Sequence, residues 1–222
     1  MVKAVMFDLD GTLLDRDASI QKFIEYQYER LKHLLSHIPK ESYIARFIEL
    51  DNRGYVWKDT VYKQMVKEFA IIGITWENLL EDYMNYFHKS CVPFPYLVWL
   101  LEELKRKSLK LGMITNGKGQ FQMRSIKALG IEGYFDTILI SEWEGMSKPD
   151  PWLFQRALDQ LHVLANESVF VGDHPINDVQ AARNAGMKTI WKKDAIYESA
   201  DADFVIEELK EIPGIIETLQ QQ

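Results

Sequence analysis

Two aspartates, Asp8 and Asp10, stand two residues apart where the apolar run Ala4-Val5-Met6-Phe7 gives way to Gly11-Thr12. The run is β-compatible and the glycine turns the backbone, so the stretch reads as a buried strand ending in a loop loaded with carboxylates. Alternation along a strand aims Asp8 and Asp10 to one side, at the carboxyl edge where open α/β sheets hold their ligands. Like charges that close repel unless a cation or a shared proton relieves them, and a divalent metal is the simplest relief.

Three further polar clusters fall at strand ends or helix starts. Met113-Ile114-Thr115-Asn116-Gly117 closes an apolar run with a hydroxyl and an amide, the neutral donors that phosphate oxygens accept. Val169-Phe170-Val171-Gly172-Asp173 places a carboxylate at another strand end, and Asp178 follows in the first turn of a helix that Pro175 helps to start. Between them, Gly145-Met146-Ser147-Lys148-Pro149-Asp150-Pro151 fixes one lysine just ahead of a helix. An ammonium held beside several carboxylates suits an anionic substrate.

The elements that must position these groups come in two textures. From residue 93 onward helices alternate with short apolar strands: Leu109 to Thr115, Thr137 to Ser141, Ser168 to Gly172, Lys188 to Trp191 and Asp203 to Ile206. Such alternation predicts an α/β fold with a parallel sheet covered by helices on both faces. Residues 16–92 differ: Ile20, Phe23, Ile24, Leu31, Leu34 and Leu35, then Ile44, Phe47 and Ile48, then Val61, Met65 and Phe69, then Leu79, Tyr83, Met84 and Phe87 recur at helical spacing. Four amphipathic helices and no strand are expected there, with Asp59 and Thr75 placed to cap two of them. The division is therefore a core made of 1–15 and 93–222 and a helical insert at 16–92. A frayed tail is expected at Gln220 to Gln222.

Asp8-Leu-Asp10-Gly-Thr, Thr115-Asn116-Gly117, Lys148-Pro149 and Gly172-Asp173 with Asn177-Asp178 resemble, in order, the four motifs of the haloacid dehalogenase superfamily of hydrolases. Each motif alone is weak; four in order, each at a strand end or helix start, are specific. The resemblance implies a Rossmann-like parallel sheet core with an inserted α-helical cap domain, the Asp8 strand lying between the Thr115 and Asp173 strands. It implies that Asp8 is the nucleophile of an aspartyl-phosphate mechanism and that Asp10 protonates the leaving oxygen and later deprotonates water. It further implies Mg²⁺ on the Asp8 carboxylate, the Asp10 main-chain carbonyl and Asp173, with Thr115, Asn116 and Lys148 on the phosphoryl group and Asp178 orienting Lys148 or a metal-bound water. Dehalogenating relatives lack an acid at the position of Asp10, so phosphate-ester hydrolysis is favoured over carbon–halogen cleavage. Phosphomutases share all four motifs, and a binding protein that kept the fold without turnover is the non-enzyme alternative. Phosphonate-cleaving relatives use a cap lysine; Lys22, Lys32, Lys40 and Lys58 are available, and no pattern marks one of them as buried.

Within the insert, Arg53 stands in the Asp51-Asn52-Arg53-Gly54 break and is the expected substrate contact, while Asp15, Arg16 and Asp17 lie at the expected hinge. His174 is expected to serve its loop, and Cys91, the single cysteine, to be a small apolar filler. One cysteine excludes an intramolecular disulfide and a cysteine-based zinc cluster. A net charge of −7 without a basic block argues against nucleic-acid polymers and anionic membranes as partners, and no apolar run is long enough to span a bilayer. A cytoplasmic enzyme acting on a small phosphorylated metabolite is expected.

Overall fold

Ala4–Phe7 forms strand β1, and all four side chains are fully buried, as an uninterrupted apolar run must be when both faces of a parallel sheet are covered. The structure, a computed structural model, describes residues 1–221. By its internal contacts the chain divides into two compact units, one of Met1–Asp15 with Pro93 onward and one of Arg16–Val92.

The second unit is helical: α1 (Arg16–Arg30), α2 (Lys32–Leu35), α3 (Lys40–Asp51), α4 (Lys58–Glu68) and α5 (Trp76–Tyr86). The periodicity that suggested one helix from Ile20 to Leu35 reads across a break, because Leu31 (φ −103°, ψ 12°) leaves helical geometry while Ile24, Leu31 and Leu35 keep their spacing. Thr75 caps α5 in a reciprocal box with Asn78. Asp59 does not cap α4: it lies inside the first turn and pairs with Lys63 one turn on, at 2.9 Å. Phe23, Tyr83 and Phe87 pack ring against ring at 5.2–6.0 Å, and beside them Gln27 accepts from the hydroxyls of Tyr43 and Tyr62 and donates to Asp82.

The chain then alternates: α6 (Leu97–Arg106), β2 (Lys110–Thr115), α7 (Gly119–Ala128), β3 (Thr137–Ile140), the short α8 (Ser141–Glu144), α9 (Pro151–Leu161), β4 (Ser168–Gly172), a π-helical turn (Pro175–Gln180) running into α10 (Ala181–Asn184), β5 (Lys188–Lys192), β6 (Phe204–Ile206) and α11 (Ile212–Gln220). All neighbouring strands are parallel, in the order β3-β2-β1-β4-β5-β6. Alternation sends Ala4 and Met6 to the face covered by Leu153, Phe154, Ala157 and Leu158 of α9, and Phe7 to the other face, where it meets Phe135 edge-on. Succession to β2 and β3 on one side of β1 and to β4 on the other puts the topological switch point at β1, with Phe7 in register with Met113 and Val171. Of the expected frayed tail, Gln220 is the last residue of α11 and Gln222 lies outside the described residues. Among the described residues no helix is long and apolar enough to cross a membrane.

Candidate active site

Register carries the site. Phe7 is level with Met113 and Val171, so the residues that follow all three strands emerge at one sheet edge: Asp8 after β1, Asn116 after β2 and Asp173 after β4. The Asp8 amide continues the ladder by donating to the Val171 carbonyl at 3.0 Å, which holds this carboxylate at the edge.

Lys148 arrives from the segment ahead of α9 and is buried with its Nζ 2.6 Å from Asp8 Oδ1 and 2.6 Å from Asp178 Oδ1. Asp178, 1% exposed, is held from its other side by the His174 amide, which donates to Oδ2 at 3.0 Å. Gly172 makes that approach possible: a Cβ there would stand 2.3 Å from the Cβ of Asp178. Asp173 receives the Thr12 hydroxyl on Oδ1 at 3.4 Å, and its main-chain carbonyl accepts from the Trp191 indole at 2.7 Å. Asp8, Asp173 and Asp178 each offer an oxygen within 4.8 Å of the other two.

Lys148 pairs with two of these three carboxylates, so the cluster carries a negative surplus. Burial, partly opposed by Lys148 and reinforced by Asp178, pushes the Asp8 carboxyl up to about 7. Burial together with the charges of Asp8 and Asp178 pushes Asp173 up to about 9. Burial works against the charge on Lys148, but Asp178 and Asp8 more than offset it and hold its proton above the ordinary lysine range. An all-oxygen donor set with uncompensated negative charge fits a hard divalent cation such as Mg²⁺, which would relieve both strained carboxyls.

Asp10 lies outside this cluster. The strand ends at Phe7 and the chain turns so that Asp10 bridges back to Leu14, hence strand alternation no longer sets its direction. Its Oδ2 instead accepts from Gln122 Nε2 at 2.7 Å, and its charge is the weakest of the influences on Asp8. The expected repulsion between Asp8 and Asp10 is therefore present but weak, and the stronger like charge on Asp8 is that of Asp178.

Thr115 is buried and its Oγ1 accepts from the same Gln122 amide at 2.7 Å. Asn116, expected on phosphate oxygens, clasps the Lys148 peptide: Nδ2 donates to the Lys148 carbonyl and Oδ1 accepts from the Lys148 amide, both at 2.9 Å. That clasp commits its carbonyl and one N–H to aiming the lysine segment. His174 accepts the Ile176 and Asn177 amides on Nδ1 at 3.1 Å, serving its loop as expected. Cys91 is half-buried.

In the helical unit, Arg53 sits in the turn Asn52–Gly54 in the left-handed region (φ 54°) and pairs with Asp17 at 3.0 Å. Arg16 pairs with Asp51 at 2.8 Å, and Lys58, 9% exposed, pairs with the same carboxylate. Lys58 is therefore a buried lysine, which its sequence neighbourhood did not reveal.

Gln122, Thr12 and Trp191 escaped the sequence reading. The one available signal was for Gln122: with Ser125 and Ile126 it lies on the buried face of α7, and a long polar side chain on such a face needs partners.

A family model described as haloacid dehalogenase-like hydrolase matches residues 5–192. A Clostridium perfringens protein named for pyrophosphatase activity is 31% identical over 99% of this chain and 99% of its own length. The glyceraldehyde 3-phosphate phosphatase of Pyrococcus furiosus is 29% identical over 100% of this chain and 94% of its own. Among solved structures, the HAD phosphatase from Thermococcus onnurineus superposes with a TM-score of 0.68 at 28% identity, covering 97% of this chain and 98% of that one.

Proposed function

The chain belongs to the haloacid dehalogenase-like hydrolases, and within them we propose that it is a Mg²⁺-dependent phosphatase of small phosphomonoesters working through an aspartyl-phosphate on Asp8. The observation that carries this reading is the difference in partners between the two motif aspartates. Asp8 lies in a carboxylate cluster and pairs with the Lys148 ammonium, whereas Asp10 Oδ2 is held by a neutral amide donor. Asp8, on the Lys148 ammonium, is the proposed nucleophile, and Asp10, on the Gln122 amide, the proposed acid and base.

Lys148 holds Asp8 Oδ1, which leaves Oδ2 to form the bond to phosphorus, and its positive charge favours the ionised carboxylate. Asp178 holds Lys148 from the opposite side, and the Asn116 clasp fixes the lysine segment. Asp10 gives its proton to the departing ester oxygen and then takes one from the water that cleaves the acyl phosphate, a single carboxyl used twice. The Thr115 hydroxyl is a donor for a phosphate oxygen. Asp8 and Asp173, with the Asp10 main-chain carbonyl, are the proposed ligands of a Mg²⁺ ion that would offset the charge between nucleophile and phosphate. The helical unit, residues 16–92, is the proposed cap that selects substrate, with Arg53 as a substrate contact. Relatives named for pyrophosphatase and glyceraldehyde 3-phosphate phosphatase activity support a small phosphorylated substrate.

The test is phosphate release from glyceraldehyde 3-phosphate, pyrophosphate and p-nitrophenyl phosphate, with Mg²⁺ and with chelator, running Asp8→Asn beside the wild type. Metal-dependent release that falls on the order of 10³-fold or more in Asp8→Asn is expected. Release indifferent to the substitution overturns the mechanism, and ester phosphate moved to another hydroxyl without release makes the protein a mutase.

A further inference from the structure

We propose that Gln122 is a positioning residue that assigns hydrogen-bond direction in the active site, anchoring one oxygen of Asp10 and turning the Thr115 proton towards the substrate. The inference rests on the reading of Asp10 as acid and base. Gln122 is 2% exposed, and its Nε2 lies 2.7 Å from Asp10 Oδ2, 2.7 Å from Thr115 Oγ1 and 3.3 Å from the Asn116 carbonyl oxygen. A carboxylate and a carbonyl only accept, so the nitrogen and not the oxygen of the amide must face this group. The amide has two N–H bonds, and both are spent on this one side.

Two consequences follow for the chemistry. The N–H bond to Oδ2 fixes the rotation of the Asp10 carboxyl, so Oδ1 is the oxygen presented to a leaving group. The acid is thereby defined atom by atom instead of being shared between two equivalent oxygens. At Thr115, a hydroxyl that accepts from Gln122 keeps its own O–H free; without that donor the O–H could turn to the nearby carboxylate and be lost to the phosphate. One amide thus directs a proton in Asp10 and a donor in Thr115 at once.

The local chain is built to admit this side chain. Gln122 enters from the first turn of α7, with its amide donating to the Lys118 carbonyl at 2.9 Å. At Gly117 (φ 152°) a Cβ would stand 2.8 Å from Gln122 Cγ. The glycine of Thr115-Asn116-Gly117 therefore keeps open the space that Gln122 crosses.

The experiment compares kcat/KM for two esters that differ in their need for an acid: p-nitrophenyl phosphate, whose phenolate leaves unprotonated, and glyceraldehyde 3-phosphate, whose alkoxide does not. Gln122→Met, of similar length without donors, is expected to lose roughly 10²-fold on the alkyl ester and only a few-fold on the aryl ester. Gln122→Glu, of the same length but with an acceptor where the donor stood, is expected to lose at least as much on the alkyl ester as Gln122→Met. Equal losses on both esters, or alkyl activity near wild type in Gln122→Glu, would reduce the residue to a packing role and overturn the proposal. Asp10→Asn is run in parallel: if it discriminates between the esters while Gln122→Met does not, the proposal fails and the phosphatase reading stands; if Asp10→Asn does not discriminate, both fail.

Discussion

In the helical unit Asp51, 2% exposed, meets two cations, Arg16 and Lys58, and both oxygens of Asp82 are taken by the Arg30 guanidinium. At the strand edge of the other unit, Lys148 pairs with Asp8 and Asp178, while Asp173 has the Thr12 hydroxyl and no ion pair among the described residues. Both places bury carboxylates, but one supplies each with a cation and the other leaves negative charge unmatched. Matched pairs hold a fold in one arrangement once their desolvation has been met. Unmatched charge destabilises the chain that carries it and persists where a ligand is meant to complete it. The difference separates structural charge from functional charge more sharply than burial does, since each set mixes buried and half-buried carboxylates.

The largest expected break in that contrast is Asp51→Ala. It removes the buried carboxylate that Arg16 and Lys58 share and is expected to cost about 3–5 kcal/mol of stability in denaturant unfolding. The same experiment on Asp173→Asn is expected to show the opposite sign in metal-free protein, because it removes a carboxyl that burial and like charge already oppose. If both variants lose stability equally, the distinction between the two regions is void.

A second contrast appears in the pH dependence of metal-free protein. Asp8 and Asp173 have folded-state values of about 7 and about 9 against 3.8 for the ordinary carboxyl, so across that interval the folded state binds more protons than the unfolded chain. Stability from these two groups is therefore present at low pH and is lost as the pH rises towards 9. Thermal melts with chelator are expected to fall through this range, and excess Mg²⁺ is expected to flatten the fall by binding the ionised cluster. A melt indifferent to Mg²⁺ at the alkaline end would mean that the cluster does not take the cation.

Arg53→Ala is the mildest test. Its pair with Asp17 is solvent-accessible on both sides, so removing it is expected to change stability by less than about 1 kcal/mol. As a substrate contact it is expected to raise KM by roughly 10-fold with kcat little changed, the loss of one charged hydrogen bond. Unaltered KM across the substrate panel would return Arg53 to an ordinary loop arginine.

Much of the site was legible because strand ends announce themselves. An apolar run such as Val169-Phe170-Val171 that stops at Gly172-Asp173 states where the ladder ends and which side chain stands there. The partners were harder to read. Gln122 belongs to no strand end, and an amide on a helix face gives no local sign of what it will touch. Asn116 was recognisable as a polar group at the edge, but its engagement with the Lys148 peptide depends on a segment 32 residues away. Lys58 looks like any surface lysine until α3 and α4 pack and bring Asp51 to it.

Alternating strands and helices determined a parallel sheet, and the acids at its strand ends determined that the carboxyl edge would carry the chemistry; both follow from periodicity and side-chain type, which are local. Which carboxylates share a charge problem was decided only in three dimensions. Asp8 and Asp10 are neighbours along the chain, yet Asp8 pairs with Lys148 and Asp10 with Gln122. Asp8, Asp173 and Asp178 converge because Phe7 pairs in register with Val171, a contact between residues 164 positions apart that no local pattern encodes.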